Sequence, residues 1–322
     1  MPTALAPSVV TARDSKGLKF MSIVEAAYNK ARLPGDEAQR VNDTSGLSEL
    51  IGNFIAKNRR LNQFAGEEVH SNYTYPPEYT RRPIGEQIEM IAKLFGLDPQ
   101  NAYAFARNLL ELPEGAEGWY AVPSIDMVAT KYFPTVEDPA ERYCKAVNLV
   151  LEMIGKARRF TNYRKGQLTP GRLRQHVRTV DALAEIAKSQ PGDIWIIAAQ
   201  FGKCHAGRSV RRAREVFASG EFGLGVFLVG CMVLTHPERL VRWEQLHMDC
   251  PGDEFASVAD GDFSNAPIFN FNDNEVKFNA NWFNNANENY GSVSGFLPKL
   301  LLIQTASARL TAGVSVTALL WT

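Results

Sequence analysis

One segment constrains this chain more than any other: Asn265 to Gly291, NAPIFNFNDNEVKFNANWFNNANENYG. Ten of its residues are asparagine, yet Phe269, Phe271, Val276, Phe278, Trp282, Phe283 and Tyr290 run among them. Asparagine disfavours strands, but the apolar residues recur with a period of two. Phe269 and Phe271 point one way and Ile268, Asn270 and Asn272 the other; Val276, Phe278, Ala280 and Trp282 continue the alternation. Asp273-Asn274 suits a turn, because both side chains bond nearby backbone. The pattern predicts a β-hairpin followed by an Asn-rich loop, with the Phe, Val and Trp face in the core and the amides toward solvent. A carboxamide carries donors and an acceptor on a short stem, so several on a pinned sheet make an adaptable recognition surface. The plainer alternative is a turn-rich, solvated sheet; metal, glycan and self-assembly roles come behind both.

The rest of the chain supplies a scaffold. Residues 84–95, EQIEMIAKLF at their centre, repeat apolar side chains at helical spacing up to Gly96, and Asp98-Pro99 opens a second helix. Pro139 to Arg158 and Pro170 to Lys188 read as amphipathic helices, the latter with Leu173, Val177, Val180, Leu183 and Ile186 inward. IWIIAAQF reads as a buried strand. Ser22 is a candidate cap for a helix over 23–31, and Leu47 to Phe54 for another turn or two. Phe222 to Leu234, with three glycines among large apolar residues, reads as packed sheet or irregular core, and a helix resumes from Pro237.

With 322 residues, 35 basic against 35 acidic, the chain has material for one or two domains and no general drive toward nucleic acid or anionic membrane. The longest apolar run is too short to span a bilayer, so no membrane span is expected. The opening residues lack a basic start before an apolar core, which makes a cytoplasmic chain the default. Cys144, Cys204, Cys231 and Cys250 form no CxxC pair, so reduced thiols are the default, with a two-disulfide secreted form the alternative.

Other clusters carry possible chemistry. Cys204-His205 beside Arg208, Arg211, Arg212 and Arg214 fits either a thiol nucleophile or, in GKCHAGRS, an anion nest before a helix. It lacks the full phosphate-loop pattern, and arginines paired with carboxylates and loop carbonyls are the simpler expectation. Cys231, His236, His247 and Cys250 lack compact zinc spacing. Asp249, Asp253, Glu254, Asp260 and Asp262 offer oxygens for calcium without matching a twelve-residue calcium loop; no cofactor is otherwise implied.

From about Trp119 to Pro298 the sequence resembles a group of uncharacterised proteins from small-genome uncultured bacteria. The resemblance rests on NYRKGQLTPGRLRQH, GDIWIIAAQFGKCHAGRSVRRAREVF, FGLGVFLVG, LTHPERL and VKFNANWFNNANENYGSVSGFLP. The last of these resembles the variable region of a diversity-generating retroelement target protein. That resemblance implies an α+β chain with a C-type lectin-like fold displaying a hypervariable C-terminal region, non-catalytic and directed at a protein or surface ligand. It implies adenine-directed mutagenesis at AAC codons, so the variable positions would be Asn270, Asn272, Asn274, Asn279, Asn281, Asn284, Asn285, Asn287 and Asn289. The intervening aromatics, Gly291, Gly295 and Phe296 would be scaffold. The expected organisation is an accessory helical region over 1–115, the lectin-like display domain over 116–298, and a tail or added strand over 299–322. The competing reading is a thiol-dependent enzyme or anion-binding protein centred on Cys204, His205 and the following arginines.

Overall fold

The computed structural model describes residues 13–43, 47, 51, 54, 55 and 62–298. The chain divides between Arg59 and Arg60. In the first unit α1 (Ser15–Ala31) and α2 (Gly35–Asp43) are separated by Arg32 in the left-handed conformation, φ 49°. The helix expected to start after Ser22 therefore begins a full two turns earlier; the Gly17 inside it costs only about 1 kcal/mol, too little to stop propagation. The expected turn over 47–54 lies largely outside the described residues, as does the tail from 299 onward.

The second unit is mixed α+β. It holds α3 (Ile84–Phe95), α4 (Gln100–Ala106), β1 (Gly118–Pro123), α5 (Ile125–Tyr132), α6 (Pro139–Ala157), β2 (Phe160–Asn162), β3 (Leu173–Gln175) and α7 (Val177–Ser189). Then come β4 (Ile194–Gln200), α8 (Val210–Val216), β5 (Glu221–Gly223), α9 (Val226–Thr235), β6 (His247–Asp249), β7 (Asp253–Phe255), β8 (Asn265–Asn272), β9 (Glu275–Trp282), β10 (Tyr290–Ser292) and β11 (Ser294–Phe296). The boundary expected at 115/116 falls inside this unit. The reason is packing: Ile88, Ile91 and Phe95 of α3 are fully buried in the core shared with β1, so 84–106 is no accessory region. Gln87 completes the seam, its amide bonding the Trp119 carbonyl and the Ala121 N–H along the free edge of β1.

Two sheets organise the unit. One is antiparallel, in the order β1-β4-β11-β5; the other has seven strands, with β8 at its centre. Along one edge of β8 lie β6 and β7 end to end, continued by β10 and β3 respectively; along the other lies β9, followed by β2. The apolar stretch expected as sheet or irregular core is instead β5 followed by α9. Nearly every α9 residue is buried, so no solvent face marks it as helical; α6, α3 and β1 surround it. Gly230 permits the closest contact, since a Cβ there would sit 2.4 Å from Val150 Cγ1 on α6. Asp253 caps α9 from β7: its carboxylate accepts from the Val226 N–H at 2.7 Å and from the Tyr143 hydroxyl at 2.7 Å.

Two other helix expectations are corrected. Leu173 lies in β3, and His176 caps α7 by accepting from the Arg178 N–H at 3.3 Å. Val177 and Val180 are consequently exposed, at 67% and 46%, while Thr179, Ala182, Leu183 and Ile186 face inward. After Pro237 only a single 3-10 turn forms (Pro237–Arg239). Arg239 is the cause: fully buried, it donates to the carbonyls of Leu246 and Phe201 and lies 4.1 Å over the Tyr75 ring. Those bonds fix an irregular path that a continued helix would break.

Candidate functional site: the outer face of the seven-stranded sheet

The hairpin β8–β9 closes through Asp273 and Asn274, both left-handed at φ 54° and 59°, the two-residue turn that matches strand twist. Asn272 Oδ1 accepts from the Asp273 N–H at 2.9 Å, and Lys277 Nζ pairs with Asp273. Register then assigns the faces. Phe269 stands opposite Phe278 with ring centroids 5.1 Å apart, Phe271 opposite Val276, and Pro267 opposite Ala280. Phe269, Val276 and Phe278 are fully buried, which makes this the core face. On the other face Asn270 opposes Lys277, Asn272 opposes Glu275, Ile268 opposes Asn279 and Ala266 opposes Asn281.

The nine asparagines singled out from the sequence divide accordingly. Asn270, Asn272, Asn279 and Asn281 sit on the outer face, Asn274 in the turn, and Asn284, Asn285, Asn287 and Asn289 in the loop to β10. Asn274, Asn284 and Asn285 are exposed and the other six half-buried; none is buried. The tenth, Asn265, is buried and accepts from Ser257 Oγ at 3.1 Å. The loop is pinned at its end: the His247 N–H donates to the Asn289 carbonyl at 2.8 Å, and Ser71 Oγ to that of Glu288 at 2.5 Å. One ring departs from the expected pattern. Trp282, at the end of β9 and opposite Asn265, is 61% exposed rather than buried, because the core beneath the hairpin ends before it.

The segment 202–207 clasps β10 rather than cradling an anion. Gly202 (φ 114°) and Gly291 touch backbone to backbone, so that a Cβ on Gly291 would lie 2.2 Å from the Gly202 carbonyl oxygen. The Gly207 N–H donates to Tyr290 O at 2.9 Å. His205 bonds the buried Glu221 at 2.7 Å. Burial opposes the charge on Glu221, but hydrogen bonds from His205, Ser294 and the Ala218 N–H hold its carboxyl below the usual range. Cys204 is exposed as a residue, yet its sulfur donates to Gly115 O at 3.2 Å, and burial with nearby Glu117 pushes the thiol up to about 11. Each arginine of the group is engaged: Arg208 with Glu68, Arg211 with Glu67, Arg212 with Glu68 and Glu215, and Arg214 with Glu254 and the carbonyls of Pro251 and Asp253. The thiol at that cluster is not activated, and each of its four arginines already has a partner.

The suggested metal donors disperse. Asp253 caps α9, Glu254 pairs with Arg174 and Arg214, and Asp260 and Asp262 lie on the exposed loop before β8. Cys231 is inside α9, and His236 bonds Thr235 Oγ1 and the Arg82 N–H. No group of three or more potential ligands forms among the described residues, and all four cysteines are free thiols. No described helix is long and apolar enough to cross a membrane.

Sequence reasoning missed what lies under the amides. His247 and Asp249 of β6, and Tyr290 and Ser292 of β10, are register partners and therefore share a face with Ile268 and Asn270. His247 lies between Trp243 and Tyr290, its ring centroid 5.1 Å from each. Asn270 Nδ2 donates to the Tyr290 hydroxyl at 3.0 Å. Burial, then the charge of Arg239, pushes His247 down to about 4; the Trp243 carbonyl lies near its ring but makes no well-aligned bond. Burial alone pushes Asp249 up to about 7. The only sequence trace was the polar-apolar-polar order of HMD, since pairing across forty residues is invisible without the topology. No known protein family matches the chain, nor does any curated protein or solved structure.

Proposed function

We propose that this protein is a non-catalytic, ligand-binding variable protein of a diversity-generating retroelement. Its second unit would be a C-type lectin-like scaffold, and the nine asparagines its hypervariable contact surface for a protein or surface ligand. One observation carries the reading. The hairpin buries Phe269, Val276 and Phe278 on one face, while on its other face, turn and following loop none of the nine asparagines is a buried residue, although the Asn270 amide oxygen is enclosed. Such an arrangement separates the residues that hold the fold from those free to vary, which is what a displayed repertoire requires. The mixed α+β architecture accords with that scaffold without specifying it. Cys204, with its raised thiol, gives the enzymatic alternative no comparable support.

Two experiments test the proposal. Sequencing the DNA around the gene should find a second repeat matching codons 265–291, adenine-rich at the asparagine positions, beside a reverse-transcriptase frame. A locus with neither removes the retroelement. A library randomised at the nine positions and displayed on a surface should yield binders to unrelated protein targets; a folded library that yields none removes the binding role.

A further inference from the structure

We infer that a cleft at the free edge of β1 binds a small carboxylate with a planar apolar body, held by Arg81. The site belongs to the scaffold: none of the nine asparagines lines it, and it does not depend on the display reading.

The cleft itself is the first observation. It has a volume of about 640 Å³ between the segment 79–84, Leu109 and the start of β1, within the roughly 300–1,000 Å³ of sites that take small molecules. Tyr79, Pro83, Ile84, Leu109 and Trp119 line it with apolar surface. Its aromatic walls are fixed where they meet the core. The Tyr79 ring lies edge-on to Phe201, centroids 5.7 Å apart, and its hydroxyl meets that of Tyr120 at 2.8 Å. Trp119 is held in register opposite Ala198 of β4. Both residues are only half-buried, so each keeps ring surface free for a ligand.

The polar groups then select the ligand's charge. Arg82 is spent, pairing with Glu238 and donating to the Thr235 carbonyl. Gln87 occupies the carbonyls of Arg82 and Trp119. Arg81 alone is left: among the described residues no carboxylate pairs with it and no carbonyl accepts from it, and no acidic side chain lines the cleft. Gly118 sets its placement. The arginine lies so close against that residue that a Cβ there would come within 2.7 Å of both Cδ and Nη1. Glycine at the first position of β1 thus lets the guanidinium rest along the strand, within the cleft's lining.

A planar fork of donors with no acceptor complements one carboxylate in two places, and one cation balances one such charge. A phosphate dianion would be left half-neutralised, and a neutral or cationic ligand would leave the fork unmatched. The Tyr79 and Trp119 rings favour a flat body over a branched one.

The test titrates the full chain with naphthylacetate, its neutral isostere naphthylacetamide, acetate and naphthyl phosphate, reading the Trp119 indole N–H by NMR. Saturable shifts are expected from naphthylacetate with a Kd of about 1 mM or tighter, and about 10-fold weaker binding from the amide. Acetate, which lacks the apolar body, should bind more weakly still. Arg81→Gln should erase the preference for acid over amide, and Arg81→Lys, which keeps the charge but not the fork, should restore only part of it. Both variants should melt with the parent, since Arg81 bonds to nothing in the fold. Absence of saturable shifts up to about 10 mM overturns the inference. So does equal affinity for acid and amide, an unchanged preference in Arg81→Gln, or tighter binding of naphthyl phosphate.

Discussion

The separation of the hairpin's faces has a measurable energetic consequence. Phe278 is fully buried, and its ring lies 5.1 Å from that of Phe269. Truncating it to alanine removes that contact and leaves a cavity in a core that relaxes only partly, a loss of about 3–5 kcal/mol. That is a large part of the roughly 5–15 kcal/mol that holds a domain folded. The amides across the same strand behave differently. Asn272, Asn279, Asn281 and Asn284 are half-buried or exposed, and their side chains bond only their own neighbouring backbone or none, so each alanine substitution should change stability by about 0.5 kcal/mol or less. The quadruple variant should therefore lose less than about 2 kcal/mol, and Phe278→Ala alone should exceed it. Urea unfolding followed by tryptophan fluorescence is the assay, because Trp119, Trp195, Trp243 and Trp282, all the tryptophans among the described residues, belong to the second unit. A quadruple variant more damaging than Phe278→Ala would show that the amides are structural, and the reasoning would fail.

Three further outcomes are expected. Gly291→Ala should destabilise by about 3 kcal/mol or more, because its Cβ would collide with the Gly202 carbonyl oxygen; an unchanged denaturation midpoint would refute the clasp. Cys204, its thiol pushed up to about 11, should react with iodoacetamide about 100-fold more slowly at pH 7 than a free cysteine, and a rate equal to or above that of the free amino acid would revive the nucleophile. Asp249 binds its proton more tightly folded than unfolded, so its ionisation removes stability as pH rises from about 4 to about 7. The advantage of Asp249→Asn over the parent should accordingly grow across that window, by at most about 4 kcal/mol. His236 and His247, both pushed down to about 4, act oppositely, losing stability as pH falls from about 6.5. They are common to both chains, so the difference between variant and parent isolates Asp249; a flat difference would place a partner on that carboxylate.

The hairpin was legible because a period of two survives any reading frame of neighbours: Phe269, Phe271, Val276 and Phe278 declare one face, and Asp273-Asn274 declare the turn. Helices α3 and α6 were legible for the same reason, each having one wet and one dry side. α9 was not, since a helix enclosed by α6, α3 and β1 is apolar on every side and carries no period. The stretch 170–188 misled because Leu173 and Leu183 serve different elements that happen to continue one helical count, with His176 marking the break. The domain boundary misled because burial of Ile88, Ile91 and Phe95 depends on β1, which follows later in the chain. The polar cluster beside Asn270 was the least legible part. His247 and Asp249 meet Tyr290 and Ser292 only through the parallel pairing of β6 with β10. The loose acidic cluster around them in sequence pointed to calcium, whereas the fold sends Asp249 and Asp253, only four positions apart, to different faces of the sheet across a turn.

A display surface must combine rigid backbone with accessible side chains, and both can be read on one selectively labelled sample. Hydrogen exchange should protect the backbone amides of Phe269 and Phe278, while a soluble gadolinium chelate should broaden the side-chain amide signals of Asn272, Asn274, Asn279, Asn281, Asn284 and Asn285. Side-chain amides that the chelate leaves untouched, or a hairpin backbone that exchanges as fast as free peptide, would contradict the account at its centre.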